Sequence, residues 1–192
     1  MARRLLVVVV VLAAAVVAGG VPLVGVGQPI VQRDQPENLK ALLETIQRTI
    51  HTQKNPAGGA AMFRSLLPDE ARLKRALRAG VDRATVERLL EFYRQVTPRD
   101  EEAGALMKAS QTIVRVHAAL TEEIARYQEG SVAWSAFPGG AKAVAERILR
   151  PGVTFYEAEY LEPGRDIGMT YHLFFWSGGQ WSMLGPVWRV LK

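Results

Sequence analysis

Between Val153 and Leu184 the chain carries three strand-length runs rich in aromatic and β-branched residues: Val153–Glu162, Met169–Trp176 and Gln180–Leu184. Pro163-Gly164-Arg165-Asp166-Ile167-Gly168 separates the first two, and Ser177-Gly178-Gly179 leads into the third. Spacers this short cannot hold the crossover that parallel strands need, so the runs are expected to form an antiparallel meander. A small sheet of this kind must bury at least one face against something. The cover has to come from elsewhere in the chain.

Helical patterns upstream supply it. Asp34, Pro36 and Glu37 signal a helix start, and Leu39, Leu42, Leu43, Ile46 and Ile50 then recur at helical spacing. Asn55-Pro56-Ala57-Gly58-Gly59 is expected to break the chain. A second stretch carries Met62, Phe63, Leu66 and Leu67, restarts at Pro68-Asp69-Glu70 and shows Leu73 and Leu77 before Gly80 closes it. Asp82 caps a third, with Val86, Leu89, Leu90, Tyr93 and Val96 inward, and Thr97-Pro98 stops it. The fourth and longest is expected over residues 101–128, with Ile113, Val116, Leu120, Ile124 and Tyr127 on one stripe.

After these the period changes. Ser131–Phe137 reads as a short strand, Ala141–Arg150 as a helix, and Val187–Leu191 as a run able to continue the sheet after Gly185-Pro186. The expected class is α+β: one domain over 36–192, helical over 36–128 and β-rich over 131–192, with N-terminal helices packed on a C-terminal antiparallel meander.

Residues 1–27 follow a different logic. Arg3 and Arg4 precede an unbroken apolar run from Leu5 to Ala18, and weakly apolar residues continue to Val26. A basic start followed by an apolar core is the layout of an export segment, either a signal peptide or an uncleaved signal anchor spanning the membrane through residues 5–26. Small residues at Val16-x-Ala18 and Gly25-x-Gly27 offer cleavage sites, while Gly19, Gly20 and Pro22 weaken a membrane helix. In both cases Arg3 and Arg4 stay cytoplasmic and the body emerges outside, beyond a short tether at 28–35. Cleavage makes the protein periplasmic or extracellular; retention makes it membrane-anchored.

Composition narrows the partners. The formal charge of +5 falls to +3 once Arg3 and Arg4 are set aside, and the remaining charges of both signs are interspersed. No block of Lys and Arg interleaved with aromatics argues for nucleic acid. The chain has no cysteine, so an exported body must hold its fold without disulfides.

Residues 101–192 resemble the nuclear-transport-factor-2-like, or cystatin-like, α+β cone: helices followed by a curved antiparallel meander, with Tyr171–Leu184 similar to its aromatic hairpin. That group includes enzymes, binding modules and assembly domains, so the resemblance implies a concave pocket and no particular chemistry. The helices at 36–96 are additional to that pattern.

Candidate chemistry concentrates in the meander. Glu157 and Glu159 share one strand face, and His172 lies on the expected hairpin partner, so the three are candidate catalytic residues able to divide acid and base roles. A register change of one residue moves His172 to the opposite face, and a solvated outer sheet face accounts for the same residues. His117 falls on the apolar stripe of the expected long helix, as a buried, hydrogen-bonded histidine. Trp134, Tyr156, Tyr160, Phe174, Trp176 and Trp181 are candidate ligand-binding aromatics, with core packing as their alternative. Three scattered histidines and no cysteine make no zinc pattern, and no cofactor or metal is expected. The leading expectation is an exported, non-catalytic envelope domain binding a small ligand or a protein. The alternatives are a small envelope enzyme using Glu157, Glu159 or His172, and a structural accessory protein.

Overall fold

A computed structural model describes residues 34–191, so the apolar start at 1–27 and the tether up to residue 33 lie outside the described residues. No helix among the described residues is long and apolar enough to cross a membrane. Helix α1 (Pro36–His51) opens on proline at its first position and buries the expected stripe of Leu39, Leu42, Leu43, Ile46 and Ile50. Helix α2 (Pro56–Ser65) begins where a break was expected. The Asn55 side chain accepts from Gly58 N at 2.9 Å, capping the helix instead of ending the chain's regularity. Gly59 then lets α2 close on α1, since a β-carbon there would lie 2.1 Å from Ile50 Cγ1.

Helices α3 (Glu70–Ala76) and α4 (Arg83–Val96) start on Asp69 and Asp82, whose carboxylates accept from Arg72 N and Thr85 N. On α4, Val86, Leu89 and Tyr93 are buried as expected, whereas Val96 at the last turn is 44% exposed.

The expected helix over 101–128 does not form as one element. A 3₁₀ turn (Asp100–Glu102) and the short α5 (Ala103–Leu106) give way to strand β1 (Ile113–Leu120), followed by α6 (Thr121–Arg126). Ile113, Val116 and Leu120 satisfy a helical period, but Ile-Val-Arg-Val is β-branched and alternating, and a full ladder with β2 takes its backbone groups. Ser131–Phe137 is likewise helix and not strand: Ser131 Oγ accepts from Trp134 N at 3.1 Å and starts α7 (Val132–Ala136). Helix α8 (Gly139–Arg147) falls where a helix was expected. The division into a helical part ending at 128 and a β-rich part from 131 is therefore replaced by a sheet whose first strand precedes three helices.

Strands β2 (Thr154–Leu161), β3 (Met169–Trp176) and β4 (Trp181–Met183) form the expected meander, and the antiparallel sheet runs β1-β2-β3-β4. Val187–Leu191 does not extend it. Past Gly185 (φ 72°) and Pro186 the chain makes a 3₁₀ turn (Val187–Arg189) that buries Val187.

Two cores flank the sheet. On one face α1, α2 and α5 cover Val114, Tyr156, Ala158, Tyr160, Phe174 and Trp181. On the other, α3, α4, α6, α7 and α8 cover Ala119, Phe155, Leu173 and Phe175. A β-bulge reconciles the two faces of β3. Tyr156 pairs with Phe174 and Ala158 with Tyr171, so two residues, His172 and Leu173, stand opposite the single Glu157. Leu173 adopts φ 57°, the left-handed region that a branched side chain resists.

Candidate functional site

The bulge decides the register that the sequence left open. It keeps Tyr171 and Phe174 on the α1/α2 face and turns His172 toward Glu157 on the other. Glu157 is completely buried, with Oε2 2.6 Å from His172 Nδ1 and Oε1 accepting from Leu173 N at 3.3 Å. Burial raises its pKa to about 7, against the opposing pull of the His172 interaction. Glu157 and His172 thus meet in a short hydrogen bond, while the carboxylate also takes up the Leu173 amide at the bulge.

Glu159 does not join them. Its Oε2 lies 3.4 Å from His117 Nε2 and 3.7 Å from Arg115 Nη1, in a partly exposed ionic row at the open end of the same face. The three candidate catalytic residues therefore split, with Glu157 and His172 as one pair and Glu159 with His117 as another. His117, placed on a helix by its spacing, is a strand residue whose Cα partner is Glu157. The solvated-face alternative fails for Glu157, which is completely buried, while Glu159 and His172 are each only partly exposed. Among the described residues no group of three or more His, Asp or Glu is arranged to hold a metal.

The aromatic candidates separate in the same way. Tyr156, Tyr160, Phe174 and Trp181 are sealed under α1 and α2, with the Tyr160 hydroxyl donating to Leu43 O at 3.0 Å and the Tyr156 hydroxyl to Asp34 Oδ1 at 2.7 Å. Trp176 packs edge-on to Trp181 at their margin, and Trp134 is half exposed on α7. Four of the six are core residues.

An open groove lies elsewhere, along the first half of β3. Its volume is about 380 Å³, and it runs between Phe63 on α2 and Leu67 just after it, Phe92 and Val96 on α4, and Met169 to His172 on the strand. Such a volume sits within the range of small-ligand sites. Met169 and Val96 are 39% and 44% exposed, so the groove ends in uncovered apolar surface. Arg189 contributes a cation, in no ion pair among the described residues, and the buried Tyr93 hydroxyl in the wall has no partner among them. His172 belongs to the lining, its ring held from behind by Glu157 and from the side by Trp188, with ring centres 5.1 Å apart.

Sequence patterns did not reveal this groove. Val96 and Phe92 read as ordinary helix positions, Met169 as a strand end, and Arg189 as part of a further strand. The one usable signal was the shortness of the Gln180–Leu184 run, which cannot cover an eight-residue neighbour. Compared with known proteins, the chain matches no family model, no curated protein and no solved structure.

Proposed function

We propose that the protein is an exported, non-catalytic binding domain of the cell envelope, and that its ligand occupies the groove between α4 and the open half of β3. The observation that carries this reading is the groove's composition: apolar walls from three elements, exposed Val96 and Met169, and a few polar groups at His172, Arg189 and Tyr93. Concave, mainly apolar sites with few polar groups are how proteins hold small ligands and peptide side chains. The aromatic sheet serves as the rigid floor, not as the binding surface.

Two measurements test it. An environment-sensitive apolar dye is expected to bind the purified protein, and Val96→Lys to weaken that binding by about tenfold by placing a charge on the groove wall. Equal dye binding by the variant would remove the groove from consideration. For export, a reporter phosphatase that needs disulfides, fused after Gln35, is expected to be active in cells; an inactive fusion places the body in the cytoplasm.

A second reading rests on the 2.6 Å contact between His172 and Glu157. A carboxylate that fixes one ring nitrogen leaves the other to act as a general base toward a groove-bound substrate, with water as the nucleophile. Retained dye binding together with hydrolysis of an ester panel, abolished in His172→Gln, would favour the enzyme.

A further inference from the structure

The groove has a second property, separate from its apolar walls: it contains a free sheet edge. Strand β4 pairs with β3 only at Phe174, Phe175 and Trp176, and the chain beyond it reaches as far as His172, whose carbonyl accepts from Gly185 N at 3.0 Å. Residues Met169 to Tyr171 therefore pair with β2 on one side and with nothing on the other among the described residues. In an antiparallel strand alternate residues turn their N–H and C=O to alternate sides. His172 turns its carbonyl toward Gly185, so Thr170, two residues earlier and before the bulge, turns its own N–H and C=O to the vacant side. That side is the groove, which Met169, Thr170 and Tyr171 all line.

Exposed edges are normally short, charged or covered, because they recruit strands. Here the open edge instead faces α4 across an apolar channel. The geometry points to an extended peptide as the occupant: one that adds to β3 through the Thr170 N–H and C=O and sets an apolar side chain between Phe92 and Val96. We infer that it carries a carboxylate against Arg189, the cation of the lining that has no ion-pair partner among the described residues. This deepens the binding reading and rests on it, naming peptide strand addition as the mode.

The test is a selection of displayed random heptapeptides on the purified protein, followed by synthesis of the best binder with N-methyl groups at successive positions. Strand addition predicts alternation: methylation at every second residue weakens binding at least about tenfold, and methylation at the residues between leaves it within about twofold. Thr170→Pro, which removes the outward N–H, is expected to weaken the peptide at least about tenfold. If that variant fails to fold, the N-methyl series on the unaltered protein decides alone. Uniform tolerance of methylation, no enrichment over a Val96→Lys control, or a self-dimer abolished by Thr170→Pro would each overturn the inference. Loss of dye binding in the unaltered protein would instead overturn the groove reading beneath it.

Discussion

The two faces of the sheet are built by opposite rules. Under α1 and α2 the strands present Val114, Tyr156, Ala158, Tyr160, Phe174 and Trp181, every one buried, and the two tyrosine hydroxyls reach out to Asp34 and Leu43. The opposite face begins the same way at Phe155 and Phe175, then changes to Glu157 and His172, and finishes in the partly exposed row of Glu159, His117 and Arg115. One face spends its surface on stability. The other stops short of closing, and the bulge and the buried carboxylate occur where it stops, while the groove lies at the β3 edge between the two faces. Local strain and buried polar groups of this kind are characteristic of sites with a task beyond folding.

Four expectations would break or sharpen this contrast. The largest concerns the closed face: Trp181→Ala should cost about 3–5 kcal/mol in urea unfolding, as for other fully buried aromatics. A cost near that of a surface substitution would mean that the face is not sealed. The second concerns Glu157. Its pKa is pushed up from 4.5 to about 7, so the folded state holds a proton that the unfolded chain has released. Glu157 should therefore contribute stability that is fully present below pH 4.5 and declines by at most about 3 kcal/mol as pH rises through 7. Glu157→Gln, which keeps hydrogen-bonding capacity toward His172 and Leu173 N, should flatten that decline; a parallel slope in both proteins would refute the assignment.

A smaller effect is expected from Gly140→Ala. The added β-carbon would lie 2.4 Å from Trp188 Cγ and Cδ1, so the indole that flanks His172 must move, at about 1–3 kcal/mol. Unchanged Trp fluorescence and melting would show that the indole does not pack as described. Smallest of all, Arg115→Ala should change stability by less than about 1 kcal/mol, because its contacts with Glu159 and Asp166 are long and partly solvated. A larger loss would make the open end of the face as structural as the closed one.

Much of this architecture was legible in the residues. Helix α1 and most of α4 announce themselves through unambiguous stripes and caps, and the meander through turn residues between aromatic runs. Strand β1 did not, because Ile113, Val116 and Leu120 fit a helical stripe as well as Val114 and Val116 fit an alternation, and only pairing with β2 decides between them. Helix α7 was masked by the β-forming Val132, Trp134 and Phe137, while its start depends on one side-chain cap at Ser131. Glu157 and His172 could be named but not joined, since their contact depends on a bulge that no local propensity encodes. The groove was the least legible part, because it arises from where β4 ends and how α4 sits against the vacated edge.

Counted purely as a ladder, β3 has one residue too many. Delete His172 on paper and Tyr171, Leu173 and Phe174 fall into simple alternation, with Tyr171 still opposite Ala158 and Phe174 still opposite Tyr156. The omission would take no apolar side chain from either core, but it would leave the buried Glu157 without its His172 partner and Gly185 N without its acceptor. The surplus residue is thus there for the carboxylate and not for apolar packing: a β3 shortened by one would have to give up Glu157 along with His172.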